Sequence, residues 1–279
     1  MQSKKIQLLN ETIHYIFEDT GKPKVLFLHG FNSASSFANQ VYQLQNRNYD
    51  VVAIDFPGCG LSSAHSLISI EFYQQIAAEF IRQSGFDFSL VVGHSLGGAS
   101  ALYVLNCGLV SKAILAAPLN HEIFSEFPAK QSLKLYGSKA IERLGKWLLP
   151  QTFIEAYESS DNLIYEDKNN YRKNLEKIAT GFLNTTKKKY NLFNFMVSNQ
   201  ILSINYLMQN IKSLYDENLN YEFIIGLNDV FVPYLSINSL ANKYKKEMLV
   251  LENCGHALFF EKPNEVNERI NQVILELLD

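Results

Sequence analysis

The chain has 279 residues and is 47% hydrophobic, enough to bury one large α/β core or two ordinary ones. Its 25 basic and 28 acidic residues leave a net charge of −3, and no arginine-rich stripe alternates with aromatics, so nucleic acid is not an expected ligand. Cys59, Cys107 and Cys254 form no Cys-x-x-Cys pair, which excludes a disulfide framework or zinc site from the expectation and fits a cytoplasmic protein.

Met1-Gln2-Ser3-Lys4-Lys5 passes directly into an alternating pattern without the apolar stretch of a signal peptide, and no apolar run of about 18 residues could span a bilayer. Ile6–Leu9 and Ile13–Phe17, flanking Asn10-Glu11, predict an antiparallel hairpin. Val25–Leu28, Val51–Ile54, Leu90–Val92 and Ala113–Ala116 are short continuous apolar runs, as expected of parallel strands covered on both faces. Between the second and third, Tyr73, Ile76, Ala77, Phe80 and Ile81 recur at helical spacing. This alternation predicts a mostly parallel sheet flanked by helices. From Leu119 to Asn220 no such strand run occurs and aromatic-studded helical stretches dominate, which predicts a core of residues 1–118 and 221–279 with a helical cap, 119–220, inserted after Ala116. The alternation resumes with Phe223–Ile225, a helix near Ser236–Lys243, Met248–Leu251, and a last helix that opens at Pro263 and carries the stripe Val266, Ile270, Val273, Ile274 and Leu277. Lys187-Lys188-Lys189, the one dense basic run, reads as a solvated helix face.

Gly93-His94-Ser95-Leu96-Gly97 lies between the strand Leu90–Val92 and a helical segment. Gly-x-Ser-x-Gly in that context describes a nucleophile elbow, with Ser95 the candidate nucleophile on a strained turn and glycines where a side chain would meet neighbouring backbone. A serine hydroxyl needs a base and a group to orient that base. His256, just after the last predicted strand, is the candidate base. Asp229, in the loop after the penultimate strand, is the candidate orienting carboxylate, with Glu122 in reserve beyond Ala117-Pro118-Leu119-Asn120. The backbone amides of Leu96 and Phe31 are the expected donors to a developing oxyanion. His14, His65 and His121 lack catalytic context and read as structural, His94 as packing or hydrogen-bonding within the elbow, and Cys254 as a buried, inert thiol.

With these residues in place, the chain resembles the α/β-hydrolase fold superfamily, in particular its capped esterase and lipase-like members. The resemblance rests on His29-Gly30-Phe31, Asp55 through Ser62, the elbow, Gly226 through Pro233, and Gly255-His256 followed by Glu261-Lys262-Pro263, in the family order. It implies a Ser95–His256–Asp229 triad with the Leu96 and Phe31 amides as oxyanion hole, and a structural Asp55. The expected activity is carboxylic ester hydrolysis through an acyl-enzyme without metal or organic cofactor. The expected substrate is a small-molecule ester with an apolar acyl group or a monoacyl lipid. Phe124, Phe127, Tyr136, Trp147, Phe153, Tyr157, Phe182, Phe193, Phe195 and Met196 supply apolar surface in the cap, some of it for the acyl site. An aminopeptidase or a carbon–carbon bond hydrolase would use the same triad, and a non-enzymatic ligand receptor is the alternative outside catalysis.

Overall fold

The computed structural model describes residues 1–125 and 133–278, with 133–138 as backbone alone. In chain order the elements are β1 (Gln2–Leu8), β2 (Glu11–Phe17), β3 (Lys24–Leu28), α1 (Asn39–Tyr42), β4 (Asp50–Ile54), α2 (Ile70–Gln83), β5 (Phe88–His94), α3 (Leu96–Asn106) and β6 (Ala113–Ala116). There follow α4 (Leu133–Leu148), α5 (Phe153–Asn162), α6 (Leu175–Met196), α7 (Ile204–Tyr206), β7 (Tyr221–Gly226), α8 (Tyr234–Tyr244), β8 (Met248–Leu251), α9 (Leu258–Glu261) and α10 (Pro263–Leu278).

The eight strands form one sheet in the order β1-β2-β4-β3-β5-β6-β7-β8. β1, β2 and β4 pair antiparallel, and every pairing from β4 through β3 to β8 is parallel. β4, β6 and β7 are buried along their whole length. Strands of that kind need cover on both faces, which explains why they read as continuous apolar runs and not as alternation. α3 packs on β3, β5 and β6 beside α2, whereas α10 packs on β5 with α1 and α9. The periodic residues of α2 and α10 supply this cover: Tyr73, Ile76, Ala77 and Phe80 are buried, as are Val266, Ile270, Val273 and Ile274.

The hairpin turn falls one residue earlier than its sequence suggests. Leu9 and Asn10 are the loop, with φ of 47° and 71°, and Leu8 pairs with Glu11. A two-residue loop with both φ positive matches the right-handed twist of its strands, and that geometry, more than the residue type of Leu9, sets the register Ile6↔Ile13.

Between β6 and β7 the described residues contain helices and turns only, including π-helical turns at Val197–Ile201 and Leu207–Ile211. Gln200 ties this stretch to the start of α2: its side chain accepts from the Ile70 N–H at 2.8 Å and donates to Glu71 at 2.6 Å, and the Tyr206 hydroxyl donates to the same carboxylate at 2.6 Å. Among the described residues no helix is long and apolar enough to cross a membrane.

Candidate active site

Backbone strain marks the carboxyl rim of the sheet. Asn32, Ser95, Ala117 and Asn253, just beyond β3, β5, β6 and β8, all have φ between 44° and 53°. Conformations of this kind cost of order 1–3 kcal/mol each and persist where surrounding contacts enforce them. Ser95 has φ 53° and ψ −119° and stands immediately before α3. Its N–H donates to the Ala116 carbonyl at 2.9 Å, and its own carbonyl accepts from Gly98 at 3.0 Å and Leu119 at 2.9 Å. The turn is tight enough that a Cβ on Gly93 would lie 2.5 Å from the Gly97 carbonyl oxygen, and one on Gly97 would lie 2.6 Å from that of His29. Glycine at both places lets strand, turn and helix meet without a clash.

The loop after β3 lies against this turn. A Cβ on Gly30 would be 3.0 Å from the Ser95 Cβ. The loop is pinned by His29, which is fully buried; its Nδ1–H donates to the Gly30 carbonyl at 2.7 Å and its Nε2 accepts from the Phe56 N–H at 3.0 Å. Burial pushes this imidazole down to about 4, so it is neutral with both nitrogens satisfied. The Phe31 side chain lines the adjoining cavity and packs edge-on against Phe193, with ring centroids 5.2 Å apart. Leu96 begins α3, where the first N–H groups have no partner within the helix.

Asp229 and His256 are brought together from the loops after β7 and β8. Nδ1 of His256 lies 2.7 Å from Oδ2 of Asp229, and Oδ1 accepts from the Phe231 and Val232 N–H groups at 2.8 and 2.9 Å. Both residues are buried. Three donors hold the carboxylate in place, and it in turn fixes the proton on Nδ1, which leaves Nε2 as the basic nitrogen. The Phe231 ring stacks on the imidazole at 5.1 Å and 26°, and Trp147 of α4 packs on Phe231 at 5.0 Å. Ser95 and His256 line the same cavity; among the described residues no hydrogen bond links the hydroxyl to the imidazole.

His94 does more than pack within the elbow. Its Nε2–H donates to the backbone carbonyl of His256 at 3.0 Å, which ties the end of β5 to the loop after β8. Its ring stacks on Phe37 and meets Phe259 edge-on, and burial, followed by the neighbouring His256, holds it well below the usual histidine range. Asp55 sits apart from the Ser95 cavity wall; it accepts from the N–H groups of Ser35 and Leu61 and from His14. Glu122 accompanies His121, 3.8 Å from its Nε2. Cys254 is buried, and burial pushes its thiol up.

The cavity encloses about 420 Å³, within the roughly 300–1,000 Å³ usual for small-molecule sites. Its described lining contains no Asp, Glu, Lys or Arg. Of the apolar residues picked out from the sequence, Trp147 and Phe182 line it, whereas Phe124, Phe193 and Met196 are buried core and Phe153, Tyr157 and Phe195 are exposed. Phe127 and the Tyr136 side chain lie outside the described residues. Much of the remaining wall is aliphatic, with Leu144, Leu163, Ile164 and Ile178 lining the same cavity as Ser95 and Phe259. No local pattern distinguishes these from ordinary helix-core residues, because only the packing of the insert on the sheet decides which of them face the cavity.

A model of the alpha/beta hydrolase family matches residues 25–269. The chain is 28% identical, over 91% of its length and 88% of the relative's, to a Mycoplasma genitalium protein named "Putative esterase/lipase 2". It is 26% identical to the Homo sapiens monoacylglycerol lipase ABHD6 over 89% of this chain and 74% of that one. Among solved structures, a serine hydrolase from the polyaromatic hydrocarbon-degrading bacterium Cycloclasticus zankles superposes with a TM-score of 0.77 over 100% of this chain and 99% of that one, at 19% identity. At that identity the likeness speaks for the fold.

Proposed function

Because this chain belongs to the alpha/beta hydrolase family, we propose that it hydrolyses carboxylic esters, with Ser95 as nucleophile, His256 as general base and Asp229 as its orienting carboxylate. The observation that carries this reading is the His256–Asp229 contact of 2.7 Å, held at one wall of a cavity on which the strained Ser95 also opens. The relatives named for esterase, lipase and monoacylglycerol lipase activity agree with it.

In the proposed reaction Ser95 Oγ attacks the ester carbonyl while His256 Nε2 takes its proton. The N–H groups of Leu96 and Phe31 receive the negative charge on the carbonyl oxygen, an interaction whose loss typically costs about 2.7–4 kcal/mol per donor. The imidazolium then protonates the leaving alcohol, and water attacks the acyl-enzyme by the same route in reverse. Asp229 stabilises the imidazolium without taking its proton. Described residues between β6 and β7, among them Leu144, Trp147, Leu163 and Ile178, supply part of the wall that contacts the substrate, and Phe31, Phe231 and Phe259 of the core supply another part.

The uncharged lining favours a neutral, apolar acyl group or monoacyl lipid. A peptide's free ammonium group, or a substrate carboxylate, would be buried in this cavity without a charged partner among the described residues, at a cost of several kcal/mol. This disfavours the aminopeptidase reading that a shared triad leaves open. A fluorophosphonate probe tests the assignment: it labels the peptide containing Ser95, and Ser95→Ala abolishes both labelling and ester turnover. Labelling elsewhere, or turnover that survives the substitution, refutes it.

A further inference from the structure

Glu261, the last residue of α9, is fully buried and accepts three backbone N–H bonds from two separate parts of the chain. Oε1 accepts from Gly255 at 2.8 Å; Oε2 accepts from Tyr165 at 2.8 Å and Glu166 at 3.1 Å. Gly255 immediately precedes His256. Tyr165 and Glu166 follow α5 in the segment between β6 and β7. On the other side of the imidazole, the Ala257 N–H donates to the Leu163 carbonyl at 3.0 Å. His256 is thus flanked by two residues that are both fastened to the turn 163–166, one through Glu261 and one directly.

That turn is also cavity wall: Leu163 and Ile164 line the space that Ser95 and His256 share. The fit at the junction is close, since a Cβ on Gly255 would lie 2.9 Å from the Tyr165 nitrogen. Two lysines brace its outer side. Lys168 Nζ donates to the Glu261 carbonyl, and Lys262 Nζ lies 3.6 Å from the Glu166 carboxylate. Burying a carboxylate costs several kcal/mol, and charge-assisted N–H bonds offset that cost only while all the donors stay in register. An apolar side chain would fill the same space without fixing the relative position of the two loops.

We propose that Glu261 is a positioning residue that sets the placement of the general base and of the acyl-binding wall by one carboxylate, so that turnover and chain-length preference are coupled through it. The proposal rests on His256 being the base. It differs from a purely structural role in what it moves. A residue that merely stabilised the fold would lower the amount of active protein and leave each remaining active site unchanged.

Glu261→Gln is the test, because the amide keeps one acceptor oxygen but turns an NH2 group toward one of the two donor sets. The variant is expected to fold and to titrate with fluorophosphonate to the wild-type stoichiometry. Its kcat per titrated site on an acetyl ester falls about 10- to 100-fold, the range expected for a misplacement near 1 Å. KM rises selectively for long acyl chains, which flattens the chain-length profile. Lys168→Met, which loosens the same junction from outside, gives the same signature at smaller size and serves if Glu261→Gln does not fold. Per-site kcat and chain-length profile both within twofold of wild type would overturn the proposal. Amide hydrogen exchange provides a readout independent of turnover: exchange across 163–166 and 254–257 accelerates together in either variant, and acceleration in one segment alone overturns the coupling. Wild-type protein that neither labels nor hydrolyses any ester would sink the underlying reading instead, with the exchange result still deciding whether the junction is coupled.

Discussion

Two serine–histidine–aspartate sets occur among the described residues, and by hydrogen bonding alone the one assigned no chemistry is the more complete. In β1 and β2, Ser3 Oγ lies 2.8 Å from His14 Nε2, and His14 Nδ1 lies 2.7 Å from Asp55 Oδ2. The second aspartate–histidine contact, Asp229 to His256, has the same length of 2.7 Å. Each carboxylate also accepts two backbone N–H bonds, Asp55 from Ser35 and Leu61, Asp229 from Phe231 and Val232. The pairs differ in what lies beyond the imidazole. Ser3 is an exposed residue of an edge strand, opposite Ile16 in a regular antiparallel ladder. Ser95 stands on a strained turn, at the start of a helix and in the wall of a cavity. A relay of hydrogen bonds can therefore be purely architectural. Reactivity requires space for a carbonyl and free donors for its oxygen as well.

Substituting the two serines should give the largest contrast. Ser95→Ala is expected to lower ester kcat by about 10⁴-fold or more, since a triad that has lost its nucleophile retains little beyond oxyanion and binding effects. Ser3→Ala should leave kcat within twofold. A steady-state assay of both variants on one ester decides the matter, and the reverse pattern would move the chemistry to the hairpin. The aspartates separate next. Asp229→Asn should reduce kcat by about 10³- to 10⁴-fold with little loss of folded protein, through the wrong imidazole tautomer. Asp55→Asn should instead cost stability, about 3 kcal/mol or more for a buried ionic contact left incomplete, with kcat per titrated site nearly unchanged. Urea titration beside active-site titration distinguishes the two.

A smaller effect probes the cavity that the Ser3 set lacks. If the uncharged wall receives the acyl chain, each added methylene contributes about 0.8 kcal/mol, or close to fourfold in kcat/KM, until the space is filled. A graded ester series should rise and then level off. A flat series, or one that falls from acetyl onward, would mean that the cavity does not hold the acyl group.

These contrasts also define what could be read from the sequence. Ser95 announces itself because the steric demand of its turn is written locally, as glycines two residues either side. His256 and Asp229 follow from their places after β8 and β7. The His14–Asp55 contact left no local sign: 41 residues separate the two, and they meet only because β2 docks antiparallel on β4, where the Asp55 N–H donates to the His14 carbonyl. His14 read as a histidine without context for that reason. Glu261 was legible only as part of a resemblance, since its partners are backbone N–H groups that carry no sequence signature. Of the cap residues singled out by size, Trp147 and Phe182 do line the cavity, whereas Leu163 and Ile178 gave no sign of doing so, because side-chain size is visible in a sequence and orientation is not.

Histidines that have no hydrogen-bonded carboxylate give the smallest and most specific test of the comparison. His121 is buried between Tyr215 and Tyr244, and neither of its ring nitrogens has a hydrogen-bond partner among the described residues. Burial pushes it down to about 4 from an ordinary 6.5, against the weaker upward pull of Glu122. Because the folded value is the lower one, the unfolded chain binds the proton first as pH falls through 6.5, and stability is lost progressively from there down to about 4. His29 adds a loss of the same sign over the same window. Replacing His121 by Phe removes its share: relative to wild type, His121→Phe should gain roughly 1–2 kcal/mol of stability at pH 5 beyond any difference measured at pH 8. Chemical denaturation at the two pH values measures that increment directly. The kinetic parameters at pH 8 should not change, because this imidazole, unlike those of His14 and His256, holds no carboxylate and borders no reacting group; an increment of zero would mean that His121 takes up its proton in the folded protein as readily as in the unfolded chain.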